Sequence, residues 1–96
     1  MDSSLAISLL KTHKDELTSR FGVKALALFG SVSRNSATAA SDIDILVDFE
    51  GPATSARYYG LQFFLEDLLG RPVDLVTSKA LRAELRPYIE RDAINV

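Results

Sequence analysis

Leu5, Leu9, Leu10 and Leu17 recur at roughly helical spacing, behind Ser3 and Ser4 as capping residues and ahead of Gly22 as a stop, and they predict a first helix with one apolar stripe. Lys24 to Phe29 is short and apolar and runs into Gly30, which favours a strand over a helix. A brief helical turn is predicted over 31–36 and a loop over 37–41. From Asp42 to Phe49 the pattern alternates: Ile43, Ile45, Val47 and Phe49 point one way, and Asp42, Asp44, Leu46 and Asp48 the other. Gly51-Pro52 breaks this strand. Leu61, Phe64, Leu65, Leu68 and Leu69 then form a helical stripe closed by Gly70 and Pro72. Pro72 to Val76 reads as a third strand, and Leu81, Leu85, Tyr88 and Ile89 mark a last helix. The order α-β-β-α-β-α, without repeats or a linker, predicts an α/β fold of the α+β kind: a small mixed sheet with helices packed against it, as a single domain over residues 1–96.

Within that pattern the acids are out of place. Asp42 and Asp44 are i and i+2 on a strand, so their carboxylates share a face, and two anions that close repel, the more so when half-buried. A divalent cation between them resolves the repulsion, and oxygen donors select a hard ion such as Mg²⁺, which takes one or two carboxylates and fills its shell with water and phosphate oxygens. The plain alternative is a polar face on an antiparallel edge strand. Asp74 is a third acid, flanked by Val73, Leu75 and Val76, and it meets the other two if its strand neighbours theirs.

Gly30-Ser31 lies at the end of the first strand. A glycine there lets the backbone approach a ligand closely, and a serine opening a helix can cap it while offering N–H groups and a hydroxyl to an anion such as phosphate. Arg34, three residues on, is within reach of the same anion or of one of the aspartates. Each signal has an ordinary reading as a turn, a cap or a solvated side chain; their joint spacing is the specific feature.

Composition narrows the partners. Eleven Lys and Arg against thirteen Asp and Glu give a formal net charge of -2 with no basic block, which argues against direct nucleic-acid binding through phosphate neutralisation. There is no cysteine, so disulfides, thiolate metal sites and thiol nucleophiles are excluded together. The start, Met1-Asp2-Ser3-Ser4, lacks a basic region followed by a long apolar segment, and no apolar run suits a bilayer span; the expectation is a cytoplasmic protein without membrane contact. At 96 residues the chain has no second lobe to grip a large substrate, so a macromolecular acceptor has to dock.

Gly30-Ser31, ten residues, then Asp42-Ile43-Asp44 reproduces the pattern G-S-x10-D-x-D, and the chain resembles the minimal nucleotidyltransferase (MNT) family of the DNA-polymerase-beta-like superfamily. Arg34 in "GSVSR" falls where that family keeps an arginine, "SDIDILVDF" is similar to its second-strand text, and Asp74 in "RPVDLVT" resembles its third acid. Asn35 stands where a glycine often follows the arginine, and Asn tolerates positive φ better than most residues. The resemblance implies ATP as substrate, held by Gly30 and Ser31 with Arg34 nearby, and Mg²⁺, in two ions, on Asp42, Asp44 and Asp74, with Asp74 helping to take a proton from the acceptor hydroxyl. It implies transfer of AMP with release of pyrophosphate, and an antitoxin whose partner is a HEPN-domain toxin modified on a tyrosine, in a homo- or hetero-oligomer left open. Two other readings remain at this level: an antitoxin that masks its toxin without chemistry, and nucleotidyl transfer to RNA or a small molecule with a partner subunit.

Other residues carry plainer expectations. His13, the only histidine, is expected to face solvent on the first helix, and Tyr58 and Tyr59, ahead of the second helical stripe, to serve as core or partner contacts in preference to a base-stacking surface. Asp48 lies too far along the strand to join the acids, and the mixed charges of Arg82, Arg86, Glu90, Arg91 and Asp92 read as a solvated face.

Overall fold

Asp2, rather than Ser3 or Ser4, caps the first helix: its side chain accepts from the Leu5 N–H at 2.8 Å. The computed structural model describes residues 2–35 and 42–96. The predicted first helix is two, α1 (Ser3–Thr12) and α2 (Lys14–Phe21), broken at His13. His13 does not simply face solvent; it is half-buried, with Nδ1 2.9 Å from the Leu9 carbonyl oxygen and its ring edge-on to Phe64. The break lets Ala6 and Leu10 of α1 and Leu17 and Phe21 of α2 reach one core from two directions. Gly22 ends α2 in the left-handed region, with its N–H returned to the Leu17 and Thr18 carbonyls.

The next elements are β1 (Val23–Phe29), a single turn α3 (Gly30–Ser33), β2 (Ile43–Phe49), α4 (Ser55–Leu69), β3 (Val73–Thr77), a 3-10 turn at Ser78–Ala80, α5 (Arg86–Asp92) and β4 (Ile94–Asn95). Strand order in the sheet is β3-β2-β1-β4, with β2 and β3 parallel and the other two pairs antiparallel. This is the expected mixed sheet with helices, extended by a fourth strand whose two residues are too few to show a period.

Burial on β2 follows the alternation: Ile43, Ile45, Val47 and Phe49 are buried, and Asp44, Leu46 and Asp48 are half-exposed on the opposite face. Leu61, Leu65 and Leu69, four apart on α4, close the core over that apolar face. Thr54 caps α4 by accepting from the Arg57 N–H, so the helix starts before its apolar stripe and includes Tyr58, which is half-buried, and Tyr59, which is exposed. The last helix begins at Arg86; Leu81 and Leu85 precede it, and Leu85 and Tyr88 stay exposed. Among the described residues no helix is long and apolar enough to cross a membrane.

Candidate active site

Strand register brings the acids together. Phe29 of β1 lies opposite Asp44 of β2, and Asp44 lies opposite Asp74 of β3, so a single row across the sheet runs from the end of β1 through both carboxylates. Asp74 is exposed between the buried Val73 and Leu75, on the same open face as Asp44. Asp42 stands immediately before β2 and is exposed. The sequence sets one condition for the third acid, that its strand neighbour that of the first two, and the parallel β2–β3 pairing meets it.

The turn after β1 is built against this row. Gly30 has φ +74, and a Cβ added there would sit 2.8 Å from Cγ of Asp44 and closer still to its Oδ2. Only glycine combines that backbone conformation with room for the carboxylate. Val32 is fully buried and anchors the turn, while Ser33 Oγ donates to the Gly30 carbonyl at 2.8 Å. Ser31, on the same turn, is half-buried. Asn35 takes φ +56, as expected of an Asn in a glycine's place, and its Oδ1 accepts from the Ser3 N–H at 2.9 Å, joining the end of the turn to the start of α1.

Arg34 pairs with an aspartate, but not one of the three: its Nη1 lies 2.7 Å from Oδ2 of Asp92 on α5. The Asp92 side chain is mostly buried and that of Arg34 half-exposed, so the solvated face read for α5 has one member turned inward. Nothing in the sequence joins these two residues, which lie 58 positions apart.

Electrostatics mark Asp44 as the centre. Its carboxyl is raised above the ordinary aspartate value, first by burial, then by the charges of Asp74 and Asp42 and a side-chain hydrogen bond with Asp74, while Arg34 pulls the other way. Tyr58 also feels the group: its phenol is raised by burial first and by the Asp74 charge next. Among the described residues no three His, Cys, Asp or Glu side chains close into a cluster able to hold a metal ion by themselves. The donors nonetheless suit a hard cation, being carboxylate oxygens whose charges repel one another, and Mg²⁺ needs only one or two of them when phosphate oxygens complete its shell. Chemically, the row offers carboxylates to a cation, a close backbone bend to a phosphate, and one exposed acid to a third group.

The nucleotidyltransferase domain family matches residues 10–95. The chain is 42% identical over 89 residues to the protein adenylyltransferase MntA of Thermococcus cleftensis, covering 93% of this chain and 90% of that one. A solved structure of a candidate minimal nucleotidyltransferase superposes with a TM-score of 0.79 at 36% identity, covering all of this chain and 97% of the other. The fold also matches, with a TM-score of 0.65 at 22% identity over 92% of this chain and 69% of the other, a chain of the complex between a tri-AMPylated HEPN toxin and an MNT antitoxin from Shewanella oneidensis.

Proposed function

The chain belongs to the nucleotidyltransferase domain family as a minimal nucleotidyltransferase, and on that premise we propose that it transfers AMP from ATP to a tyrosine hydroxyl of a HEPN-type toxin and so acts as an antitoxin. The observation that carries this reading is the row Asp44–Asp74 with Gly30 turned against Asp44. Fold alone would not carry it, because function resides in the site. The similarity to a protein adenylyltransferase supports a protein acceptor, and the fold shared with a chain of a toxin–antitoxin complex supports the toxin class.

In this reading the Gly30–Ser31 turn holds the triphosphate, and Asp42, Asp44 and Asp74 hold Mg²⁺. The ion, when bound, neutralises charge on the reacting phosphoryl and its leaving group. The acceptor oxygen bonds to the α-phosphorus, the bond from that phosphorus to the bridging oxygen breaks, and pyrophosphate leaves with the electron pair. The hydroxyl proton passes to Asp74, the exposed member of the row, which a docked acceptor can approach. Arg34 is held by Asp92 at the edge of the turn, where its charge already reaches Asp44. Alignment and charge neutralisation supply the rate.

The test is transfer of label from α-labelled ATP to a co-expressed HEPN toxin. Asp42→Ala with Asp44→Ala should abolish it while circular dichroism stays native. Retained transfer rejects the proposal, and full protection of cells by the inactive double variant favours neutralisation by masking.

A further inference from the structure

The free edge of β3 is not left to water. Among the described residues β3 pairs only with β2, and the Ile43 N–H donates to the Pro72 carbonyl at 2.9 Å, so the even-numbered peptide groups face β2. Successive groups alternate along a strand, which turns those of Val73 and Leu75 outward, where edge strands are normally unpaired. Three side chains of α4 meet them. The Tyr58 hydroxyl donates to the Leu75 carbonyl at 2.5 Å, Gln62 Nε2 donates to the Val73 carbonyl at 3.1 Å, and Glu66 Oε2 accepts from the Val73 N–H at 2.9 Å. The spacing is i, i+4, i+8, one line down the helix. Four residues of helix rise about 6 Å and two residues of strand about 6.6 Å, so Tyr58 and Gln62 keep step with Leu75 and Val73.

Both residues bonded in this way, Val73 and Leu75, flank Asp74. Ordinary edge protection needs only a charge or a proline; here the bonds fall on the two neighbours of one exposed acid, and Tyr58 is near enough for its phenol to feel that acid's charge.

We propose that Tyr58, Gln62 and Glu66 brace the outer edge of β3 and hold Asp74 in register with Asp44, acting as positioning residues for the transfer. The inference rests on the role given above to Asp74. Without the brace, β3 is tied to the sheet on one side only, and the carboxylate that receives the proton drifts against the row. Outer partners of metal-ligating side chains typically matter about 10- to 100-fold, and a brace acting through the neighbouring backbone is expected at the low end of that range.

The experiment uses the full chain with ATP, Mg²⁺ and the HEPN toxin, and compares Tyr58→Phe and Gln62→Leu with Asp74→Asn. Tyr58→Phe should lower kcat by about tenfold or more while KM for ATP stays within about twofold, because the nucleotide turn is untouched. Amide hydrogen exchange gives a second readout without activity: Glu66→Ala should release the Val73 amide to faster exchange, and Glu66→Gln, which keeps an acceptor oxygen, should restore it. Wild-type kcat in both Tyr58→Phe and Gln62→Leu, with Asp74→Asn inactive, overturns the brace and leaves the function standing. A joint loss of kcat, KM and melting temperature also overturns it, as general structural damage. Full activity in Asp74→Asn overturns the role of Asp74 and the brace with it.

Discussion

Gly30→Ala separates the site from the fold. Two costs arise. An L-residue at φ +74 costs about 1–2 kcal/mol, and crowding in a packed site adds about 1–3 kcal/mol. The atoms in the way belong to the end of the Asp44 side chain, which can swing aside, so the total should lie near the low end, about 2 kcal/mol. At about 4–8 °C per kcal/mol for a chain of this size, the melting temperature should fall by roughly 8–16 °C and the protein should stay folded at room temperature. Activity should fall much further: an Asp44 carboxylate pushed about 1 Å from its row is expected to cost on the order of 100-fold in kcat. Gly70→Ala supplies the control, since Gly70 has φ +68 but nothing within 4 Å of an added Cβ. It carries the backbone cost alone and should keep wild-type transfer. Melting by circular dichroism and labelling of the toxin from ATP measure both quantities. Wild-type transfer by Gly30→Ala, or an equal loss in Gly70→Ala, would refute the claim that the glycine exists to make room for Asp44.

Asp44→Asn tests the charge balance. Because folding raises the Asp44 carboxyl, the folded chain binds that proton more tightly than the unfolded chain; this adds stability below the ordinary value of 3.8, and the stability is lost as pH rises through the raised value. In chelator at neutral pH the ionised side chain therefore burdens the fold, so the Asn variant should melt higher than wild type, and the gain should shrink as pH falls through the raised value and level off below 3.8; a lower melting temperature at neutral pH would contradict the assignment. Arg57→Ala tests the far end of the molecule, where Nη1 donates to the Glu50 carbonyl at 2.6 Å and the Pro52 carbonyl at 3.2 Å beside Gly22. It should cost about 1 kcal/mol of stability in thermal melts and leave kcat unchanged, because six residues of strand, about 20 Å, separate Glu50 from Asp44.

Much of the geometry of the candidate site is legible in the amino-acid sequence because it is local. Asp44 declares its side of the sheet through a two-residue period, and Gly30-Ser31 declares a bend by following an apolar strand. Asp74 is legible as an oddity, a charge in a run fit for burial, but its meeting with Asp44 depends on which strands pair, and no local pattern encodes that. The same limit hides Asp92, whose charge looks like one of several on a wet helix until packing sets it against Arg34. The break at His13 leaves no mark in the pattern because two short helices can share one leucine stripe when both feed the same core. Tyr58, Gln62 and Glu66 keep helical spacing as well, yet a polar stripe looks solvated unless the strand edge beside it is known.

The bond from the Ser3 N–H to Asn35 fastens one end of the Gly30 bend to the first turn of α1. Fusion partners and trimmed starts, ordinarily chosen as harmless at the periphery of a protein, would here tug on a tether to the bend that packs against Asp44. Activity measured on a tagged preparation would therefore report the tag as well as the enzyme.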